Sequence, residues 1–474
     1  MLGVTEQIHF LDPAFGTGSF YSALLNSSVA SRVEEADGFE IDPHYGRPTQ
    51  NLWADTRLNL SLTDFTKAKP HPCNFLICNP PYVRHHHLSA DDKTRLREAS
   101  HALGVKLSGL AGLYCYFMVL AHRWLQENAV AAWLIPSEFM DVNYGEAIKS
   151  YLLDNVTLVR IHRFDPNDVQ FADALVSSAI VWFKNTPPAA NHRVQMTLGG
   201  RLDTPLLSND VPIEELRRES KWTRLPETGE LHQDPEGGVR LRDLFNIKRG
   251  LATGDNSFFI LNEERVAELG ISHRFLQSIL PSPRYLKQDE VQADEDGLPL
   301  LKPRLFLINT KLPEEDLREA DWKLAAYLES GKKTVAEAYL CRSRKPWYSQ
   351  ETRPPAPILC TYMGRSDENG ENTFRFILNH SKATAANVYL LLYPKATVAN
   401  AMSLPGVAKQ VFELLREIPM QHMRNEGRVY GGGLHKMEPR ELANVRADHI
   451  AKLLFSSQPL CGLQIKLPQP ETAA

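Results

Sequence analysis

Directly after the apolar run Phe75-Leu76-Ile77-Cys78 stands Asn79-Pro80-Pro81-Tyr82. The Asn79 side-chain oxygen and the Pro80 backbone carbonyl are two acceptors suited to an amino group conjugated to a ring, such as that of adenine. Such a nitrogen is a poor nucleophile because its lone pair is delocalised. Two acceptors that hold its two hydrogens favour a pyramidal nitrogen and localise the pair. The prolines stiffen the loop, so the acceptors are in place beforehand. Tyr82 offers an aromatic face for a base taken out of its stack. No strong general base is required, since the proton can leave after the nitrogen has reacted. Pro-Pro alone would signify only a rigid turn; Asn before it and Tyr after it set this loop apart.

A second constellation lies upstream. In Asp12-Pro13-Ala14-Phe15-Gly16-Thr17-Gly18 the glycines allow a tight turn and a close approach of ligand to backbone. A lone G-x-G is weak, but Asp12 ahead of it would suit the ammonium group of an amino-acid-like cofactor. Glu40, closing Gly38-Phe39-Glu40-Ile41, is placed to accept from ribose hydroxyls, with Ile41 against an adenine face. Asp64 would accept from the adenine amino group while Phe65 lends its ring. Three acids at the ends of successive strands make a nucleoside pocket the better reading. His85-His86-His87 cannot easily converge on one ion, and no further ligand recurs at metal spacing nearby. That run reads as a loop facing a polyanion, with Arg84 as a phosphate contact, and no metal is expected.

The elements that must position these residues alternate. Strands are expected at Ile8 to Leu11, Gly38 to Ile41, Leu60 to Leu62, Phe75 to Cys78, Val130 to Ile135, Leu158 to His162 and, last, Leu175 to Phe183. Helices are expected at Ser19 to Leu25, Leu113 to Leu125 and Gly145 to Leu153. The alternation predicts an α/β fold with a doubly wound, mostly parallel sheet, which binds ligands beyond the carboxyl ends of its strands. Residues 1–184 form this expected domain. Asn185-Thr186-Pro187-Pro188-Ala189-Ala190-Asn191 reads as a linker, extended over 185–199, because two prolines in polar company stop helix and sheet alike. Residues 200–474, more irregular, form a second domain of mixed α+β character.

Composition excludes little. With 474 residues there is material for at least two cores, and 43% hydrophobic with 23% charged residues is an ordinary globular balance. A net charge of −4 means that any nucleic-acid partner must be met by local cations. The six cysteines contain no C-x-x-C pair and read as reduced core residues. Neither a signal peptide nor a membrane-length apolar run is apparent, so the expected compartment is the cytosol.

In their order, Asp12-Pro-Ala-x-Gly-x-Gly, Glu40, Asp64-Phe65 and Asn79-Pro-Pro-Tyr82 resemble the gamma group of amino-DNA methyltransferases, the TaqI-like enzymes of type II restriction–modification systems. The likeness runs on through Gly112-Leu113-Tyr114 and Ile135-Pro136 to the segment Phe171 to Phe183. It implies a Rossmann-like class I fold, S-adenosylmethionine as cofactor, and methylation of N6 of a flipped adenine in double-stranded DNA. It also implies that Phe171 is the second wall around that base, and that residues 200–474 are a target-recognition domain. There, Lys248-Arg249 before a glycine-rich turn, and Arg342, Arg344, Lys345 and Trp347, are the implied DNA contacts. From Tyr339 to Arg365 five cations face the single acid Glu351. A separately encoded cognate endonuclease is compatible with this reading; a membrane is not part of it. The family carries a helical motif ahead of its first strand, and the seven residues before Ile8 are too few for it. Three alternatives stand beside this reading: a protein glutamine N5-methyltransferase, which shares the Asn-Pro-Pro-Tyr loop; a bifunctional enzyme that also cuts DNA; and a catalytically silent DNA-binding subunit.

Overall fold

The computed structural model describes residues 7–165, 177–225, 238–365, 373–430 and 433–456. The chain divides into two compact units, residues 1–232 with 430–432, and residues 233–429 with 433–474.

The first unit is built on nine strands: β1 Ile8–Asp12, β2 Val33–Phe39, β3 Leu58–Ser61, β4 Cys73–Cys78, β5 Leu125–Pro136, β6 Thr157–Arg163, β7 Ser178–Lys184, β8 Arg193–Gly200 and β9 Pro205–Pro212. Their order across the sheet is β3-β2-β1-β4-β5-β7-β6-β8-β9. β1, β2, β3, β4 and β5 run parallel, while β7 is antiparallel to both β5 and β6. The expected α/β fold is therefore present as a large mixed sheet. Chain order runs outward from β1 to β3 on one side and resumes at β4 on the other, so β1 and β4 flank a topological switch point. In such sheets ligands bind in the crevice at that point, beyond the carboxyl ends. Asp12 ends β1, and Asn79 follows β4.

The helices are α1 Ser19–Leu25, α2 Pro43–Leu52, α3 Ala90–His101, α4 Leu113–Ala121, α5 Glu146–Asp154 and α6 Ile213–Arg218. α4 is apolar all round, and every residue after Leu113 is buried, as befits a helix inside a core. Its Phe117 meets Phe65 at 5.3 Å between ring centres, and Phe65 in turn meets Phe39 and Trp124. Most predicted elements fall within a few residues of the observed ones. α2 and α3 have no counterpart in the sequence reading.

One expected boundary is corrected. Pro187-Pro188 turns the chain without ending the sheet. Asn185 is held by backbone bonds to Ala129 and Asn128, and its amide donates to Leu125 and Gln126. The chain then re-enters as β8, parallel to β6, and β9 pairs with β8. Val194, Met196 and Val211 are buried by this extension. Residues 193–199 are thus strand rather than linker, β7 is not the last strand, and the first unit extends to residue 232 rather than 184.

The second unit is α+β. Its main sheet aligns Phe245–Arg249, Tyr389–Pro394, Ile358–Thr361, Phe376–Asn379 and Glu290–Val291, antiparallel except for the last pair. A three-stranded sheet of Ile260–Asn262, Leu305–Ile308 and Leu276–Ile279 accompanies it. Leu390 and Leu392 pack with Val411, Phe412 and Leu454 in one of its cores.

Candidate active site

The glycine turn after β1 is held from every side. Gly16 and Gly18 both lie at positive φ, 55° and 87°. The Phe15 N–H donates to Phe39 O, at 2.8 Å, and the Gly16 N–H donates to Glu40 Oε2 at 3.0 Å. Behind the turn, Thr49 Oγ1 of α2 donates to Gly16 O and Trp53 Nε1 donates to Thr17 O, each at 3.1 Å. Sequence reasoning missed Thr49 and Trp53, because Pro43 and Pro48 make α2 look like a loop. A Cβ on Gly18 would sit 2.6 Å from the Phe15 ring, whereas a Cβ on Gly16 would meet nothing within 4 Å. Gly18 is thus required by packing; Gly16 borders open space.

Asp12 is 1% exposed. Burial, with the Glu40 carboxylate nearby, pushes its pKa up to about 7, although the Ala14 N–H bonded to Oδ1 at 3.1 Å opposes this. A carboxyl whose pKa burial has raised this far is matched to a ligand that brings a cation. Glu40 Oε1 accepts from the Asp42 N–H at 2.7 Å. Each Glu40 oxygen keeps a further lone pair for a hydroxyl donor. Ile41 is 70% exposed at the end of the same segment, a bare apolar side chain beside these polar groups.

Asp64 and Phe65 depart from expectation. Asp64 caps the short turn Phe65–Lys67, accepting from Thr66 N and Oγ1 at 2.9 and 2.7 Å, and Arg95 of α3 approaches its other oxygen at 3.4 Å. Oδ1 is thereby occupied twice, while Oδ2 has the long Arg95 contact and an ion pair with Lys67 at 3.7 Å. Phe65 is 3% exposed inside the aromatic cluster with Phe39, Phe117 and Trp124, so its ring has no free face for a base.

The prolyl loop leaves β4 beside the turn after β1, whose Leu11 is in register with Leu76. Cys78, fully buried, has its thiol pushed well above the usual range by burial and by Asp12. Asn79 Oδ1 is buried and has no hydrogen-bond partner among the described residues. Leaving such an acceptor unmatched costs roughly 1–3 kcal/mol, and native structures seldom do so without reason. Pro80 is buried beside it. The half-buried Tyr82 donates its hydroxyl to Leu134 O at 3.0 Å, and burial raises its pKa, so the phenol stays protonated. The Leu113 N–H at the start of α4 donates to Val83 O at 2.9 Å, pinning the far end of the loop. The structure therefore brings Asp12, Ala14, Gly16, Gly18, Glu40, Ile41, Asn79, Pro80 and Tyr82 to neighbouring strand ends. Phe171 lies outside the described residues.

Arg84 is exposed ahead of the His85–His87 turn. Among the described residues the only cluster with metal-ligand spacing is Glu35, Asp37 and His71, which excludes those three histidines. His71 Nδ1 lies 2.8 Å from Asp37 Oδ2, and that bond raises the His71 pKa. Five cysteines are buried free thiols, as expected; Cys461 lies outside the described residues. Among the described residues no helix is long and apolar enough to cross a membrane.

In the second unit the expected DNA contacts divide. Lys248, Arg249, Arg342 and Lys345 are exposed. Arg249 lies 3.9 Å from the centre of the Tyr362 ring and donates to Asn387 O. Arg344 is turned inward, its guanidinium donating to Thr253 O and Ala252 O at 2.6 Å each and to Gln350 Oε1 at 3.1 Å. Trp347 packs against Phe258, Phe259 and Tyr348. Both are partly buried and contribute to the fold, Arg344 through loop carbonyls and Trp347 through a nearby core.

Comparison with known proteins agrees with this architecture. Residues 55–170 match the family described as Eco57I restriction-modification methylase, and residues 230–457 match that described as type II methyltransferase M.Eco57I, C-terminal domain. The chain is 27% identical to type II methyltransferase M.AccI of Acinetobacter calcoaceticus, over 93% of this chain and 81% of that one. It is 29% identical to M.XamI of Xanthomonas campestris pv. amaranthicola, over 94% and 81%. Its homologues are thus type II methyltransferases of restriction–modification systems. Among solved structures, the type IIL restriction-modification enzyme MmeI in complex with DNA superposes with a TM-score of 0.54 at 13% identity. That match covers 93% of this chain and 62% of MmeI, and it speaks for the fold alone.

Proposed function

We propose that this chain is a DNA methyltransferase that transfers a methyl group from S-adenosylmethionine to N6 of an adenine in duplex DNA, as the modification enzyme of a restriction–modification system. The observation that carries this reading is Asn79 Oδ1, a buried acceptor with no partner among the described residues, on a proline-stiffened loop at the switch point of the sheet. An exocyclic amine supplies the missing donor. Asn79 Oδ1 and the Pro80 carbonyl would take one hydrogen each and direct the nitrogen lone pair out of the ring plane. Tyr82, tied to β5 through Leu134, would present its ring to the base. Phe171 is proposed as the opposite wall.

The residues present fit the cofactor. Burial has raised the Asp12 pKa, Gly16 borders open space, and Ile41 is bare. Asp12 would hold the ammonium group, Glu40 the ribose hydroxyls and Ile41 the adenine face. When bound, the cofactor supplies an electrophilic methyl carbon on a sulfonium leaving group. The chain's own residues orient the amine, exclude water around it and let its surplus proton pass to solvent. DNA contacts fall to Arg84 and to cations of the second unit, in agreement with the relatives being DNA-modifying enzymes. A separately encoded endonuclease would be the counterpart in such a system.

The test is Asn79→Ala in the full chain. Radiolabelled methyl transfer into DNA, followed by nucleoside analysis of the product, is expected to fall at least a hundredfold. The magnitude follows from losing one pre-organised acceptor. Cofactor binding by calorimetry should stay within a few-fold of wild type. Transfer near the wild-type rate, or a methylated nucleoside other than N6-methyladenine from the wild type, would overturn the assignment.

A further inference from the structure

Two basic segments that are far apart in sequence are fastened together in the second unit. Arg344 bonds to the backbone of Ala252 and Thr253 across 91 and more positions, and the Cys341 thiol lies 3.9 Å from Thr253 O. A Cβ on Gly254 would lie 2.6 Å from that sulfur, so the glycine-rich turn and the helix Tyr339–Arg342 are packed backbone to side chain. On the other flank Arg353 Nε donates to Arg249 O at 3.2 Å. Gly250 is pressed so closely on Ala386 that a Cβ would sit 2.2 Å from its carbonyl. The turn is thereby fixed between Lys248-Arg249 and the 339–345 segment.

Cations outnumber acids along these segments, whose nearby acids are Asp255 after Gly254, Glu337, and Glu351 paired with Arg353. From Tyr339 to Gln350 there is no acidic residue, although the whole chain is net negative. Lys248, Arg342 and Lys345 are exposed, and none has an ion pair among the described residues. In the same segment as Arg342 and Lys345, Tyr339 is 80% exposed, with Leu340 beside it at 37%. Exposed like-signed side chains on two segments fastened to one turn, with an exposed aromatic ring on one of those segments, suit a partner that offers regularly spaced anions and flat apolar faces. A nucleic-acid duplex does so.

We propose that Lys248, Arg342 and Lys345 form one composite phosphate-binding ledge and that Tyr339 is the residue within it that meets a base. The inference rests on the DNA-modifying reading above and deepens it. The ledge supplies sequence-independent grip, and Tyr339 supplies a contact whose strength depends on the base it meets. Arg344 serves as a positioning residue: it keeps the turn and the helix in one register without touching DNA.

The experiment measures binding of the full chain to a pool of 30-base-pair duplexes with a randomised core, as a function of salt. Each lost phosphate contact lowers the slope of log affinity against log salt by about 0.9. Lys248→Ala, Arg342→Ala and Lys345→Ala combined should therefore lower it by about 2.7. Tyr339→Ala should leave the slope unchanged, weaken binding about five- to hundredfold, and alter the core sequences recovered from the pool. Thermal unfolding should match wild type, since all four side chains are exposed. If the triple variant is unstable, the single variants, each worth about 0.9 in slope, carry the same test. Wild-type binding with an unchanged slope in these variants would overturn the ledge alone. Unchanged affinity and preference in Tyr339→Ala would overturn its assigned role. Absence of any wild-type DNA binding would overturn the ledge and the functional reading together.

Discussion

Gly16→Ala separates backbone strain from ligand contact. Gly16 sits at φ 55°, and an added Cβ meets no atom within 4 Å. The only intrinsic cost is the left-handed conformation, roughly 1–2 kcal/mol for an L residue. For a unit of about this size that amounts to a fall of some 2–8 °C in melting temperature. If the open space is where the cofactor lies, the new methyl group also overpacks the complex by about 1–3 kcal/mol. Affinity for S-adenosylmethionine should then fall by roughly five- to hundredfold beyond any loss of folded protein. Gly18→Ala cannot make this distinction, because its Cβ would strike Phe15 and Trp53 Nε1 at 2.6 and 2.7 Å and disturb the fold itself. Isothermal titration of folded Gly16→Ala, with thermal unfolding in parallel, is the assay. The expected melting shift with cofactor affinity within twofold of wild type would show that the turn does not face the ligand, and the reasoning from open space would fail.

Two further outcomes follow from groups described above. With its pKa at about 7, Asp12 must ionise to receive an ammonium group. Cofactor affinity measured by calorimetry should therefore drop about tenfold per pH unit as pH falls below 7, and Asp12→Asn should flatten the profile. A flat wild-type profile would contradict this role. The same shift has the opposite consequence for the empty fold: an acid whose folded pKa is raised favours folding at low pH, and that contribution is lost as pH rises from about 4 through 7. Arg344→Ala removes a guanidinium that satisfies two loop carbonyls, and should cost roughly 2–3 kcal/mol in denaturant unfolding of the full chain. A loss under about 0.5 kcal/mol would mean that the turn and the helix hold their register without it.

Where the candidate site's loops fall in the fold was more legible in the sequence than the domain boundary was. Asn79-Pro80-Pro81-Tyr82 and the glycine turn were readable because their chemistry is local: each is a short run whose residue types constrain a loop directly after an apolar strand. The unpaired state of Asn79 Oδ1 was not readable, since it depends on what the neighbouring strands place around it. Residues 193–199 were misread because two prolines at 187–188 were weighed as a stop, whereas Asn185 anchors the preceding chain to β5 and the strand resumes beyond. Phe65 and Asp64 share a different cause. An aromatic and an acid after a strand suit a ligand or a core equally well, and here α4 and Arg95 supply the core and the ion pair. Likewise, cation counts from Tyr339 to Arg365 cannot tell Arg342, which faces outward, from Arg344, which faces inward. Only the partner carbonyls 91 positions away decide it.

Thr49 and Trp53 grip the carbonyls of Gly16 and Thr17 from α2, while Glu40 takes the Gly16 N–H from the opposite side. The bend is thus braced before any small molecule arrives, and little ordering entropy remains to be lost on capture. Thr49 lies on α2 and Trp53 directly after its last residue. On the proposed reading, divergence along α2 would offer a way to retune how long the methyl source stays bound without changing Asp12, Glu40 or Ile41.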